Sequence, residues 1–382
     1  MDIHFPLALL GGLTPAQFMK RHWQKKPLLV RQAVPGMAAL VERGALFDLA
    51  GRDEVESRLV VHDARGWRMR RGPFARRALP PLKQRDWTLL VQGVDLHDDT
   101  VHALLQRFRF VPEARLDDLM ISYASDGGGV GPHFDSYDVF LLQAQGRRRW
   151  RIGRQRDLGL VPDAPLKILA NFTPEQEFVL EPGDMLYLPP RYAHDGIAEG
   201  ECMTYSIGFR APAEAELARE LLLRTADAAG DEEAPPRLYA DPRQDATAAP
   251  GAVPEALQAF ARRATKAALA DPLALPRALG EYLTEPKGNV WFEPAPEAPE
   301  LPEAGQALVL DRRTRMMYDA QHVFINGESY RAGGRDATLM RTLADTRRLD
   351  ARAVARCSDG ARALLQAWCD DGWLHTEAAD AA

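Results

Sequence analysis

The sequence predicts an α+β fold with a strand-rich first part, a helical middle and a C-terminal part of short helices and a hairpin. Three observations predict it. Apolar segments of strand length, separated by glycine and proline, recur between residues 28 and 209. Helical periodicity begins after Pro212. A hairpin-like segment then lies among short helical patterns. We therefore predict three regions, residues 1–212, 213–285 and 286–382.

Composition narrows the class of protein. A chain of 382 residues with 46% hydrophobic and 27% charged residues is typical of a globular protein of two or three domains. Its three cysteines form no Cys-x-x-Cys pair, so neither a disulfide framework nor a zinc ribbon is expected, and a reducing cytoplasm fits. No signal peptide or membrane span is expected. The net charge of −6 argues against a general nucleic-acid binder, although a local basic patch can exist within an acidic total.

The first region begins with a helix and continues mainly as strands. Thr14 is expected to cap a helix that has Pro15 in its first turn and Gln17 reaching back to the cap. The remaining apolar patterns predict strands at 28–30, 58–62, 67–70, 87–91 and 116–123, with a helix at 98–107.

Three residues in this region could bind a metal ion. His133 and Asp135 are two positions apart, and His194 follows 59 residues after Asp135. Two histidines and one carboxylate form the facial triad of Fe(II) oxygenases, which leaves positions open for O2 and a chelating cosubstrate. We therefore assign the metal-ligand and catalytic roles to these three residues.

The segments around the three residues support this interpretation. A glycine run at 125–131 allows close approach of backbone to a ligand. An apolar strand at 137–143, a turn at Gln145 and Gly146, and a second strand at 147–152 follow. A turn, a short strand and a Pro-Pro corner at 181–190 then present His194.

Arg148 is the candidate cosubstrate ligand. Side chains alternate across a strand, so Arg148 shares a face with Trp150 and Ile152, while Arg147 and Arg149 share the other. If the first face points inward, Arg148 needs an anion, because a buried unpaired charge is costly. The carboxylate of 2-oxoglutarate would supply one with bidentate geometry. The alternative partner is an internal Asp or Glu.

Asp126 and Tyr137 are candidate substrate-binding residues. Asp126 lies in the glycine run, and Tyr137 follows the His133–Asp135 pair. An acidic side chain at the mouth of the site would suit a guanidinium substrate. Asp126 could equally be a turn residue before glycine.

The second and third regions suggest assembly functions. Helices predicted at 214–223 and 254–270 have apolar faces that could form a dimer interface or pack within one subunit. In the third region we expect a strand at 307–310, a hairpin at 323–330 and helices at 338–344, 351–356 and 360–370. Residues 301–382 hold 11 Arg against 12 acids, so we expect an interaction or structural module without direct DNA binding.

The motifs resemble those of the bacterial JmjC-type ribosomal oxygenases. The similarity extends over nearly the whole chain and is carried by long segments, namely 131–140, 146–153, 181–189 and 205–212. The resemblance implies a double-stranded β-helix (cupin/JmjC) core, a helical dimerisation segment and a C-terminal winged-helix domain.

The resemblance also implies a function. It implies an Fe(II)- and 2-oxoglutarate-dependent dioxygenase that uses O2 to hydroxylate an arginine side chain of a large-subunit ribosomal protein, the sixteenth of that subunit. The triad does not separate this reaction from histidine hydroxylation or lysine demethylation on another protein. A cupin with a winged helix could also be a ligand-sensing, DNA-binding regulator, which the missing basic excess argues against.

Overall fold

The computed structural model describes residues 2–230, 238–294, 301–303 and 306–378. The chain divides into two compact units, Met1–Ala211 and Pro212–Ala382. Within the described residues no helix is both long enough and apolar enough to cross a membrane.

The first unit is built on one continuous sheet of nine strands. Their hydrogen-bonded order is β1-β8-β6-β9-β5-β4-β2-β3, with β7 paired to β6. The strands are β1 (Leu28–Val30), β2 (Ser57–Asp63), β3 (Gly66–Arg71), β4 (Trp87–Val91), β5 (Leu116–Ala124), β6 (Val139–Gly153), β7 (Gln176–Leu180), β8 (Met185–Leu188) and β9 (Ala193–Phe209). The helices are α1 (Pro15–Arg21), α2 (Arg43–Leu49) and α3 (Asp99–Gln106).

One predicted turn is wrong. Gln145 and Gly146 do not reverse the chain, because both halves of the 15-residue strand β6 pair antiparallel with the same 17-residue strand β9. The register shifts between Gln143 and Arg147, where Gly146 takes a φ of 63°. The glycine therefore marks an irregularity within one long strand, since a positive φ is available to glycine without steric cost.

Strand β6 has a different apolar cluster on each face. Phe140 and Leu142 pack into the main core with Phe18 and Tyr187. The alternate positions belong to a smaller cluster of β6, β7 and β8. Its buried members are Val139, Leu141, Trp150, Ile152, Leu180, Leu186, Leu188 and Tyr192. The second cluster lies on the face that carries Arg148, so the inward direction predicted for that face is confirmed.

The N-terminal helix has the predicted cap. The backbone N–H of Gln17 donates to Thr14 Oγ1, and the backbone N–H of Thr14 donates to Gln17 Oε1, both at 3.1 Å. This reciprocal capping box satisfies two backbone donors that a helix start leaves unpaired. Phe18 of this helix is fully buried against the aromatic core.

The second unit contains helices and two small sheets. Its helices are α4 (Glu214–Gly230), α5 (Glu255–Ala268), α6 (Ala274–Thr284), α7 (Gly334–Thr346), α8 (Ala351–Val354) and α9 (Asp359–Asp370). Its strands are β10 (Gln306–Leu310), β11 (Met316–Tyr318), β12 (His322–Ile325), β13 (Glu328–Arg331), β14 (Arg348–Asp350) and β15 (Leu374–Ala378). The sheets have the orders β14-β10-β15 and β11-β12-β13. Residues 231–237 lie outside the described residues.

Helix α6, which the sequence analysis did not predict, is attached to the β12–β13 hairpin. A Cβ on Gly280 would lie 2.3 Å from Phe324 Cζ, so the glycine makes room for that ring. Ser329 Oγ donates to Glu281 Oε1 at 2.5 Å, and the Gly327 N–H donates to Thr284 Oγ1 at 3.2 Å. The last of the middle helices therefore packs as part of the C-terminal region.

Candidate metal centre

Backbone hydrogen bonds place the two histidines side by side. The N–H of His133 donates to the carbonyl of His194 at 3.0 Å, and the reverse bond is 2.8 Å long. This isolated antiparallel bridge joins the loop before β6 to the start of β9. The imidazole ring centroids lie 4.3 Å apart. Two residues distant in sequence are therefore held together by the fold itself.

Asp135 completes the cluster. The potential ligand atoms of His133, Asp135 and His194 all lie within 4.8 Å of one another. The distance from His194 Nε2 to Asp135 Oδ2 is 3.7 Å. The backbone carbonyl of Asp135 accepts a hydrogen bond of 2.7 Å from the N–H of Arg191, in the corner that precedes β9. The structure thus brings together the three residues that the sequence predicts as ligands.

Both imidazoles are oriented for metal binding. His133 Nδ1 lies 2.9 Å from the carbonyl of Gly131, and His194 Nδ1 lies 3.0 Å from the carbonyl of Tyr192. A carbonyl can only accept, so each Nδ1 carries the hydrogen and each neutral ring keeps a lone pair on Nε2. Such carbonyl contacts commonly fix the tautomer of histidine ligands.

The environment of His194 keeps its ring neutral. Burial and the neighbouring His133 lower the pKa of His194 to about 4, even though Asp135 acts in the opposite direction. A metal ligand must be deprotonated, and this histidine is ready to bind at neutral pH. Two neutral imidazoles and one carboxylate are the donor set that suits Fe(II) with open positions.

Arg148 is buried on the same side of the sheet. Only 3% of the residue is exposed, whereas the side chains of Arg147 and Arg149 are 57% and 41% exposed. Its Nη1 donates to Ser122 Oγ at 3.1 Å and to Thr204 Oγ1 at 3.4 Å, and its Nη2 donates to the carbonyl of Gly196 at 3.1 Å. The positions that strand alternation predicts are therefore correct.

The partners of Arg148 leave its charge without an anion. Among the described residues no carboxylate lies within 4.0 Å of the guanidinium, and its Nε has no hydrogen-bond partner. Burial lowers the pKa of Arg148, although Cys202 and Asp195 act in the opposite direction, because a buried environment disfavours the charged form of the guanidinium. In the ranges that the structure describes, the internal Asp or Glu considered as an alternative partner does not lie at ion-pair distance, and the residues fit an anionic cosubstrate.

Glycine at position 196 makes this arrangement possible. A Cβ there would lie 2.6 Å from Trp150 Cζ3 and 2.8 Å from Arg148 Nε. The Arg148 guanidinium stacks over the Trp150 ring at 5.1 Å, and that ring lies 5.8 Å from the His194 ring. Gly196 thus leaves the space in which the cation, the indole and the metal ligand pack together.

The two predicted substrate-binding residues lie in different settings. The Asp126 carboxylate accepts from the Gly200 N–H at 2.9 Å and forms an ion pair with Arg85. Tyr137 is 40% exposed and adjoins the metal cluster. Burial of its phenol and the carboxylates of Asp135 and Asp118 raise the pKa of Tyr137 above its usual range.

Asp118 is a candidate that the sequence analysis missed. It is buried, and its Oδ2 accepts from Gln92 Nε2 at 2.8 Å and from the Gly93 N–H at 3.0 Å. The negative charge of Asp118 is one of the causes that raise the pKa of Tyr137. An acidic residue at an otherwise apolar position of strand β5 was the available signal.

Comparison with known proteins identifies two regions. A JmjC domain model matches residues 103–217, and a ROXA-like winged-helix model matches residues 267–375. The predicted JmjC/cupin core and winged-helix domain are confirmed.

Individual relatives match over half of the chain or more. The ribosomal protein uL16 3-hydroxylase of Escherichia coli K12 is 35% identical over 81% of this chain and 84% of its own. A probable ribosomal oxygenase of Haemophilus influenzae is 37% identical over 52% of this chain and 50% of its own. The crystal structure of E. coli YcfD matches with a TM-score of 0.80 and 32% identity, covering 96% of this chain and 98% of that one. YcfD has also been solved in complex with cobalt and 2-oxoglutarate, and that structure matches with a TM-score of 0.77.

Proposed function

The chain belongs to the JmjC-domain ribosomal oxygenases, and from this premise we propose that it hydroxylates an arginine side chain of ribosomal protein uL16. It is a 2-oxoglutarate-dependent dioxygenase with an Fe(II) site of His133, Asp135 and His194. The observation that carries the proposal is Arg148, a buried cation on the strand face next to this site that has no carboxylate within 4.0 Å among the described residues.

Each residue of the site has a defined part in the proposed reaction. When bound, iron, 2-oxoglutarate and O2 together supply the oxidation that inserts one oxygen atom into a C–H bond and yields succinate and CO2. His133, Asp135 and His194 would hold the metal by one face. Arg148 would bind the far carboxylate of 2-oxoglutarate through a charge-assisted hydrogen bond. Trp150 and its apolar cluster exclude water from this side.

The substrate side of the site carries negative charge. We propose that Asp118 and Tyr137 bind the arginine side chain, because the buried Asp118 carboxylate acts electrostatically on the Tyr137 phenol, and a carboxylate together with an aromatic ring suits a guanidinium. Asp126 remains a second candidate at the rim, although its carboxylate already binds Gly200 and Arg85.

The substrate can be identified by mass. We expect one ribosomal protein, uL16, to be lighter by one oxygen atom in cells that lack this chain than in wild-type cells. Fragmentation then locates the oxygen. An oxygen on histidine, or a methyl group lost from lysine, would refute the arginine assignment while leaving the oxygenase chemistry intact.

Purified protein tests the metal site directly. With Fe(II), 2-oxoglutarate and a uL16 fragment, wild-type protein should release succinate and add oxygen, whereas His194→Ala should do neither, since a facial triad supplies three of six iron positions. Arg156→Ala serves as the control, because it is an exposed arginine of the same unit. A His194→Ala protein with full iron and normal turnover would end the assignment.

We propose that the protein is cytoplasmic and that its winged-helix region is an interaction or structural module. We also propose that it forms a homodimer through residues 213–285. Helices α4 and α5 support the dimer, because Leu222, Leu223 and Leu257 are exposed there. Replacing these three leucines with serine should convert the dimer to a monomer in light scattering. A wild-type monomer at micromolar concentration would rule out the dimer.

A further inference from the structure

A basic segment borders the metal centre. Residues 65–85 contain eight cations and no acid, whereas the other 361 residues hold 40 cations against 54 acids. We name this segment the basic edge. Its cations are Arg65, Arg68, Arg70, Arg71, Arg76, Arg77, Lys83 and Arg85. A local excess of this size within an acidic chain creates a positive potential at one place on the surface.

The fold displays these charges to solvent. The segment includes β3, which is the outermost strand of the nine-stranded sheet, and continues through a short 3-10 helix at Arg76–Ala78 to the start of β4. All eight cationic residues are exposed. They therefore form one stretch of the chain with exposed positive charge, which starts at the edge strand β3 and continues through the 3-10 helix and the loop before β4.

Most of the cations have no acidic partner. Arg68 pairs with Asp63, Arg76 with Asp48 and Arg85 with Asp126. The other five have no carboxylate within 4.0 Å anywhere in the part of the chain that the structure describes. These five are Arg65, Arg70, Arg71, Arg77 and Lys83.

One pair of cations destabilises the pairing of two strands. Arg71 of β3 lies directly opposite Arg58 of β2 in the antiparallel register. Like charges at opposed positions destabilise a sheet, and an external anion would remove that repulsion. The nearest acid to Arg58 is Glu56, at 4.0 Å.

Protection of the β3 edge against pairing with other chains accounts for only some of the eight cations. Charged side chains on an outer strand prevent pairing with other chains, which suits Arg68 and Arg70. Arg76 and Arg77 lie on the 3-10 helix, and Lys83 and Arg85 lie in a loop, where there is no strand edge to protect.

An aromatic platform joins the basic edge to the metal centre. The rings of His62 and Trp67 stack at 4.1 Å with an interplanar angle of 18°. The Trp67 ring packs so close to Gly131 that a Cβ on the glycine would lie 3.0 Å from Cζ2. Gly131 is two residues before His133. Aromatic side chains beside a positively charged surface are the combination by which proteins bind single-stranded nucleic acid, because bases stack on the rings and phosphates meet the cations.

We propose that the basic edge binds RNA and thereby brings RNA-associated substrate to the metal centre. This inference rests on the proposed function, because a ribosomal protein is the substrate that would arrive on RNA. Proteins that bind RNA are themselves basic, so the basic edge repels such a substrate when it is free. The same edge attracts the RNA to which the substrate is bound, which favours RNA over an acidic protein as its occupant.

Anisotropy of a labelled single-stranded RNA of about 16 nucleotides tests binding. The variant Arg71→Gln, Arg77→Gln, Lys83→Gln removes three unpaired cations outside the metal centre. Its affinity for the RNA should fall on the order of tenfold. The plot of log affinity against log salt concentration, between about 50 and about 200 mM, should become less steep by about 2. The matched control Lys20→Gln, Lys26→Gln, Arg107→Gln removes three exposed charges of the same unit and should bind as wild type does.

Two outcomes would overturn the inference. Equal RNA affinity in both triple variants would show that the basic edge is not the site. A poly-glutamate peptide of matched charge serves as a competitor against the labelled RNA. If it competes as strongly as unlabelled RNA does, the basic edge binds an acidic protein instead.

Activity separates this inference from the proposed function. On a short free uL16 peptide the basic-edge variant should turn over as wild type does. On uL16 bound to ribosomal RNA, turnover should fall on the order of tenfold, in proportion to RNA affinity. An equal rate on the RNA-bound substrate would refute the delivery role. If wild-type protein acted on neither substrate, the proposed function would fail, while the anisotropy result would still decide RNA binding.

Discussion

Replacing Arg148 with alanine should weaken 2-oxoglutarate binding strongly and leave metal binding intact. The guanidinium is buried and has no anionic partner among the described residues, so 2-oxoglutarate would be its counterion. Removing one partner of a buried ion pair costs about 3–5 kcal/mol. Since 1.4 kcal/mol corresponds to tenfold, the Kd for 2-oxoglutarate should rise about 100-fold to several thousand-fold.

The assay is calorimetric titration of 2-oxoglutarate into anaerobic protein loaded with Co(II) or Mn(II). Metal affinity should change by less than about threefold. The reason is that the substitution touches none of His133, Asp135 and His194. Stability without cosubstrate should fall by less than about 2 kcal/mol. Ser122 and Thr204 keep other hydrogen bonds, to the Thr204 carbonyl and to Gln143 respectively, when the arginine is removed.

The neighbouring arginines are the controls. Arg147→Ala and Arg149→Ala remove cations from the opposite face of the strand. Both of these solvent-exposed arginines pair with Glu199 there. Exposed pairs of this kind contribute about 0–1 kcal/mol, so cosubstrate affinity should remain close to that of wild type. Equal weakening by all three substitutions would refute the reasoning from strand faces.

Three further predictions concern the surroundings of the site. Gly196→Ala should weaken 2-oxoglutarate binding in calorimetry and cost about 1–3 kcal/mol of stability, because its Cβ collides with Trp150 and Arg148; unchanged affinity would contradict the packing argument. Asp184→Asn should lower the melting temperature at pH 7, and the difference from wild type should shrink below about pH 4. Hydrogen bonds from Gln32 and Glu181 hold the pKa of Asp184 low despite burial, so its stabilisation is present above the unfolded pKa and lost as pH falls through the folded one. Chelation of the metal should lower the melting temperature without changing the circular dichroism spectrum, since backbone bonds hold the ligands in place.

The sequence contained enough information to predict the direction of side chains on strand β6. Alternation has a period of two in any strand, so the inward direction of Trp150 also fixed that of Arg148. The capping box at Thr14 was predictable for a similar reason, because its hydrogen bonds involve residues three apart. Local rules of this kind need no knowledge of the rest of the fold.

Other features depended on contacts distant in sequence. Gln145 and Gly146 have the composition of a turn, and only pairing of both flanking segments with β9 makes them part of one strand. Helix α6 contains Gly280 in its interior, and a glycine there weakens a helix in isolation. Packing of the Phe324 ring over Gly280 offsets that weakness, and no local pattern records it.

The arginines of β6 show how one strand can serve two electrostatic purposes. On the outer face, Arg149 pairs with Glu177 and Glu199, and Arg151 pairs with Asp195. Asp195 directly follows the metal ligand His194, and Ile152 is the register partner of that histidine. The outer pairs therefore hold β9 in register beside the metal centre, because a shift of one residue would turn His194 to the other face. Arg148, on the inner face, has no carboxylate at ion-pair distance in the part of the chain that the structure describes, so its charge is available to an anion from outside the chain.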